Sequence, residues 1–175
     1  MKRRNANEKV ELGEYQTTKA CQIRLVKDLE EVKRMKYVKV FLPDPDNIQN
    51  FVVSIKVKNG IYRNKWFRFK FVINDDWPTE PPKVTILDDI WHPNITLVKD
   101  GGKVCVSILL KNYVPSIFLS SVVTGLQFLL QQPNPNDARN QEAAEEQLTD
   151  YEKFKAHVNM LLDEMPPEAD DDDET

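Results

Sequence analysis

Trp91-His92-Pro93-Asn94-Ile95, followed by Lys103-Val104-Cys105-Val106-Ser107-Ile108-Leu109-Leu110, divides this chain into two unlike halves. Before it the apolar residues recur mainly at the spacing of strands; after it they recur at the spacing of helices. Upstream, Trp66 to Ile73 alternates, with Phe67, Phe69, Phe71 and Ile73 on one face and Trp66, Arg68 and Lys70 on the other. That period of two predicts a strand with one face in a core. Val38–Leu42, Phe51–Val57 and Lys83–Leu87 are three more β-rich runs, separated by turn signals at Asp44-Pro45-Asp46-Asn47, at Asn59-Gly60 and at Trp77-Pro78-Thr79-Glu80-Pro81-Pro82. Downstream, Val122, Val123, Leu126, Leu129 and Leu130 predict a buried helix capped by Ser120 or Ser121. Asn140–Leu148 and Tyr151–Leu162 read as two further helices. At the N-terminal end, Cys21, Leu25, Leu29 and Val32 place one stripe on a helix starting at Thr17 or Thr18 and running to about Met35. One helix, a run of strands, then a run of helices predicts an α+β fold with an antiparallel sheet.

The 175 residues hold one domain of ordinary size, read as 17–162, with a flexible arm at 1–16 and a disordered acidic tail at 163–175. From Asp163 onward there are eight acidic residues and no basic one, so the remainder carries 24 basic against 20 acidic side chains. A mildly basic body without a basic stripe interleaved with aromatics argues against nucleic acid as the partner. No apolar run approaches the roughly 20 residues that span a bilayer, so no membrane is expected. Cys21 and Cys105, both read as thiols, fit a reducing compartment, cytoplasm or nucleus. Two histidines and two cysteines without paired ligand spacing do not predict a zinc site.

The central stretch carries the chemistry. A cysteine in an extended run, a rigid His-Pro turn and an upstream amide supply the parts of acyl transfer through a thioester: a thiolate nucleophile and an N–H for the oxyanion. For Cys21, on the helix stripe, a place in the core is expected.

His92-Pro93-Asn94 with Cys105 resembles the active-site signature of ubiquitin-conjugating enzymes. Three further segments agree in order: Pro81-Pro82-Lys83-Val84; Tyr113-Val114-Pro115-Ser116, where the family usually has tryptophan for Tyr113; and Asn134-Pro135-Asn136-Asp137. The resemblance runs from about Thr18 to Leu162. It implies that family's fold: an N-terminal helix, a four-stranded antiparallel sheet and C-terminal helices. Within the family the chain most resembles the enzymes that conjugate a Nedd-type modifier to cullins, through Phe41-Leu42-Pro43 leading to Asn50-Phe51, through Gly125 to Leu129, and through Gln141-Glu142-Ala143-Ala144. It departs from them in a longer loop, Thr96 to Lys103, in Ala138-Arg139 where Pro-Leu is usual, and in lacking an evident basic, apolar docking peptide in residues 1–16. The acidic tail is instead similar to that of certain ubiquitin carriers, and ubiquitin is the alternative modifier. A non-catalytic module on the same fold is the other alternative, against which Cys105 and Asn94 argue.

The resemblance assigns roles residue by residue. Cys105 takes the modifier from the activating enzyme. Asn94 donates to the oxyanion or braces the loop that shapes the site. His92 holds the loop by hydrogen bonds rather than serving as the base of a thiol-protease pair. Asp137 orients the incoming lysine, with capping of the next helix as its other reading. Arg24 and Lys27 belong to a solvated helix face or dock the activating enzyme. Thr79, Pro115 and Ser116 are loop surface or the contact for a RING-type ligase. His157 is expected at the surface. No cofactor is implied, since the activating enzyme upstream consumes the ATP; the implied partners are the modifier, that enzyme, the ligase and an acceptor protein, possibly a cullin.

Overall fold

The computed structural model describes residues 20–105 and 113–165. The arm at 1–16, the caps at Thr17 and Thr18, the run after Cys105 and the tail beyond Met165 lie outside them. Helix α1 (Ala20–Lys33) leads into strands β1 (Val38–Phe41), β2 (Asn50–Lys56), β3 (Trp66–Val72) and β4 (Lys83–Ile86), then helices α2 (Leu119–Gln131), α3 (Gln141–Thr149) and α4 (Tyr151–Glu164), with 3-10 turns at Val98–Asp100 and Pro135–Asp137. The expected α+β order, with four antiparallel strands, is what forms. α4 continues through Glu164, so the first two acids of the expected tail are helical. No helix of the described residues is long and apolar enough to cross a membrane.

The strands pair as a meander, β1-β2-β3-β4, each antiparallel to the next. Its register follows from burial: Val53 pairs with Phe69 and Phe69 with Ile86, Ile55 with Phe67, and Phe51 with Phe71, the last two rings stacked 5.2 Å apart. A slip of one residue would turn all of these to solvent. Onto this inner face pack Leu25, Leu29 and Val32 of α1 and Leu119, Val122, Val123, Leu126 and Leu130 of α2, all fully buried. Cys21 joins the same core. The β2–β3 turn needs glycine at position 60: φ is +90°, and a Cβ there would lie 2.8 Å from the Gln131 carbonyl oxygen.

The expected cap of α2 is corrected. Phe118 holds the N-cap position with extended backbone and no side-chain cap, and its carbonyl accepts from the Ser121 and Val122 N–H groups. Ser120 turns instead to α1, donating to the Glu31 carboxylate at 2.8 Å. At α3, Asn140 is the cap, its Oδ1 accepting from the Ala143 N–H at 3.2 Å. The capping alternative for Asp137 therefore falls away.

Candidate active site

Within residues 91–105 isolated bridges pair His92 with Ile95 and Ile95 with Val104, and hydrogen bonds at His92, Pro93 and Asn94 tie the segment to α2 and to residues 134–140. His92 is fully buried. Its Nδ1 accepts from the Asn94 N–H at 3.0 Å, and its Nε2 lies 3.1 Å from the Leu129 carbonyl oxygen. A backbone N–H only donates and a carbonyl only accepts, so both contacts require the neutral ring protonated at Nε2. Burial drives its pKa down to about 4, against the Leu129 hydrogen bond that pulls it up. Both ring nitrogens are spent on backbone, which leaves none to activate a thiol. His92 is a brace.

Asn94 follows the same logic. It is 1% exposed, its Oδ1 accepts from the Asn134 N–H, and its Nδ2 donates to the carbonyls of Asn134 and Asp137, each at 2.8 Å. An amide has two N–H bonds, and both are committed to the loop. Of the two readings for Asn94, this geometry holds the bracing one. Its own carbonyl meanwhile accepts from the Cys105 N–H at 2.9 Å. One residue thereby positions the cysteine with its backbone and Asp137 with its side chain. Pro93 adds to the brace, its carbonyl accepting from the N–H groups of Arg139 and Asn140 at 2.7 and 2.8 Å.

Cys105 is half-buried, and its Sγ lies 3.8 Å from Oδ2 of the exposed Asp137. The thiol thus stands at a solvent-facing edge beside a carboxylate held by the 3-10 turn Pro135–Asp137. A positioned carboxylate can align an ammonium group and favour its approach to an acyl group carried on the sulfur.

The partner-facing candidates divide. Lys27 is exposed, but Arg24 is not on a solvated face: its Nε donates to both Asp28 carboxylate oxygens at 3.1 and 3.0 Å, its Nη2 to the Ile117 carbonyl, and its guanidinium lies 4.7 Å from the Phe118 ring centre. Asp28 was not foreseen. It is buried on α1 and also accepts from the Trp77 indole N–H at 3.2 Å. Burial pushes its carboxyl up, only partly countered by Arg24. The i, i+4 spacing of Arg24 and Asp28 was the available signal. Thr79, Pro115 and Ser116 are exposed, and their two loops are joined where the Tyr113 hydroxyl donates to the Pro78 carbonyl.

His157 also departs from expectation. It is half-buried, 2.8 Å from the Glu146 carboxylate and edge-on to Trp91 at 5.0 Å. Buried Glu146 accepts from the Trp91 indole as well, at 2.9 Å, and pairs with Lys153 at 3.0 Å. Burial raises its carboxyl, but the hydrogen bonds of Lys153, His157 and Trp91 outweigh that and hold it below the usual range. No spacing within α3 marks Glu146, because its partners Trp91, His157 and Lys153 lie 55, 11 and 7 residues away, all outside that helix.

A half-buried thiol at a solvent-facing edge, a carboxylate at its side and two buried side chains that brace the loops around them suit one class of chemistry, acyl transfer through a cysteine. The family profile for ubiquitin-conjugating enzymes matches residues 24–162, and the chain belongs to that family, whose members carry a ubiquitin-like modifier as a cysteine thioester before transferring it. It is 38% identical over 143 residues to the NEDD8-conjugating enzyme UBC12 of Yarrowia lipolytica, covering 82% of this chain and 78% of that protein. With the Nedd8-conjugating enzyme UbcE2M of Drosophila melanogaster it shares 37% identity, covering 82% of this chain and 77% of that one. Among solved structures, Saccharomyces cerevisiae Ubc12 superposes with a TM-score of 0.75 at 32% identity, over 87% of this chain and 82% of that one. A Toxoplasma gondii ubiquitin conjugating enzyme domain gives 0.74 over 83% and 99%, at 24% identity, which bears on the fold alone.

Proposed function

We propose that this chain accepts a NEDD8-type modifier from an activating enzyme on Cys105 and passes it to a lysine of an acceptor protein, a cullin being the foremost candidate, with a RING-type ligase bringing the two together. The observation that carries this reading is the Cys105 thiol beside Asp137, on a turn held by Asn94, in a chain whose relatives are named for NEDD8 conjugation. In the loading step the Cys105 thiolate attacks the modifier's C-terminal carbonyl, a new C–S bond forms, and the activating enzyme's thiolate leaves. In the unloading step a lysine amine, its ammonium proton released to solvent, attacks the same carbonyl; the carbon–nitrogen bond of the isopeptide forms, the carbon–sulfur bond breaks, and the second proton lost by nitrogen leaves with Cys105 as its thiol. Exchange between thioesters is nearly neutral in energy, so placement decides the rate. Asp137 supplies that placement by receiving the lysine's ammonium group.

The test is charging with activating enzyme, ATP and either NEDD8 or ubiquitin in parallel, read on non-reducing gels. The expected result is a NEDD8-sized shift that collapses with reductant and is absent in Cys105→Ala. Charging with ubiquitin alone would reassign the modifier; no shift with either would leave the non-catalytic reading.

A further inference from the structure

Three strands of the sheet carry charge of one sign. Residues 32–43 and 47–74, which hold β1, β2, β3 and the β2–β3 turn, contain ten lysines and arginines and no aspartate or glutamate. Asp44 and Asp46 follow in the β1–β2 connection, at the opposite end of those strands. No single stretch of sequence reads as a basic stripe, because the sheet register is what assembles it. Lys56 stands opposite Trp66 and Lys39 opposite Ser54, and the alternation that buries Ile55 and Phe67 turns Lys39, Lys56 and Trp66 to the outer face. The Tyr37 carbonyl accepts from the Lys56 N–H and the Lys65 carbonyl from the Val57 N–H, which brings Lys36, Lys58 and Lys65 to the same end. Two ammonium groups lie over the Trp66 ring, Lys39 at 4.9 Å and Lys56 at 5.8 Å from its centre, and Lys58 lies 4.3 Å from that of Tyr37. The neighbouring Arg68 is paired with Asp88 and takes no part.

What fits such a face is a run of carboxylates. Both rings are already engaged by ammonium groups, so they offer a nucleic-acid base little to stack on, and concentrated positive charge is what the face presents. The chain carries the complement. Of the ten residues from Pro166 to Thr175, which lie outside the described ones, six are acidic and none is basic. The way between the two is short. The Tyr62 hydroxyl donates to the Trp91 carbonyl, and the Trp91 ring lies 5.0 Å from that of His157 on α4. Lys65 follows three residues after Tyr62, and Met165 follows His157 at about 12 Å along the helix axis. Ten extended residues reach about 33 Å, enough to cover that helix segment and the width of the side chains between. Tethering also gives the acidic segment a local concentration on the order of millimolar, which an external acidic segment has to exceed.

We infer that the acidic segment 168–174 docks on the outer face of β1, β2 and β3, against Lys36, Lys39, Lys56, Lys58 and Lys65, and is an internal competitor for any acidic partner of that face. Zero-length carbodiimide coupling of the full chain, mapped by mass spectrometry, reads the contact directly. Amides from the segment's carboxylates to Lys36, Lys39 and Lys58 are expected to exceed those to Lys27 and Lys99, exposed elsewhere, by roughly threefold at about 50 mM NaCl, and to fade at about 500 mM. A second measurement uses the full chain with Asp170→Asn, Asp171→Asn, Asp172→Asn, Asp173→Asn and Glu174→Gln. A free peptide of the native sequence from Pro166 to Thr175, followed through the amide shifts of Tyr37, Lys39 and Trp66, is expected to bind this variant about tenfold more tightly than the wild type, whose own segment competes. Equal affinity for the two chains, shifts confined to other residues, or couplings spread evenly over the exposed lysines overturns the inference. So does a face that takes oligo-dT with one affinity in both chains and does not take the peptide, which assigns it to nucleic acid. Neither readout involves the thioester, so a chain that fails to charge loses the acyl-carrier reading and leaves this one standing.

Discussion

Replacing Asn94 by alanine separates its two readings. The side chain makes three hydrogen bonds in a site that is 1% exposed: one accepted from the Asn134 N–H and two donated to the Asn134 and Asp137 carbonyls. At a net value of roughly 1 kcal/mol each, with the desolvated partners left unpaired, the loss of unfolding free energy is about 3 kcal/mol. The same change releases Asp137 from Cys105, so discharge to lysine falls as well. A donor aimed at the oxyanion behaves differently: its removal costs about 3 kcal/mol of barrier and leaves the ground state nearly untouched. Urea unfolding of the wild type and Asn94→Ala, beside single-turnover discharge to free lysine, gives both quantities. Bracing predicts a lowered urea midpoint together with slower discharge. An unfolding free energy within about 0.5 kcal/mol of wild type, with discharge down a hundredfold or more, would refute the bracing argument and restore the oxyanion role.

His92 makes stability depend on pH. Its folded pKa is depressed from 6.5 to about 4, so below about 6.5 the unfolded chain takes a proton that the folded chain refuses. Stability is therefore complete above that value and declines toward pH 4 by on the order of 3 kcal/mol; a urea series that is as steep in His92→Gln as in the wild type would contradict this. Glu146, held below its usual range, contributes in the same direction, its share present above the unfolded pKa and lost as pH falls through the folded one. Glu146→Ala is expected to cost about 2 to 3 kcal/mol by stranding the Trp91 indole and His157, with Trp91 emission shifting to the red; an unshifted spectrum would count against the clasp. Asp28→Ala removes the carboxylate partner of Arg24 and leaves the buried Trp77 indole without its acceptor, and should lower the unfolding free energy by about 3 kcal/mol, Asp28→Asn by less; equal losses would show that the charge is irrelevant.

Much of the architecture was legible along the chain. The alternation from Phe67 to Ile73 and the stripe Leu25, Leu29 and Val32 record local geometry, since a strand repeats every two residues and a helix every 3.6, and each bears its mark whatever it packs against. The turn chemistry at Asn59-Gly60 is local in the same sense. The thiol and the upstream amide could be read as parts of acyl transfer, while the carboxylate of Asp137 entered only through the resemblance to ubiquitin-conjugating enzymes. What only the tertiary structure decided is where their bonds go. Asn94 reaches Asn134 across 40 residues, Cys105 meets Asp137 across 32, and Glu146 holds Trp91 across 55. Contacts of that separation impose no period on the chain. For the same reason Arg24 could pass for a surface charge, Asn94 for an open donor and His157 for a solvated residue until the packing that surrounds them was known.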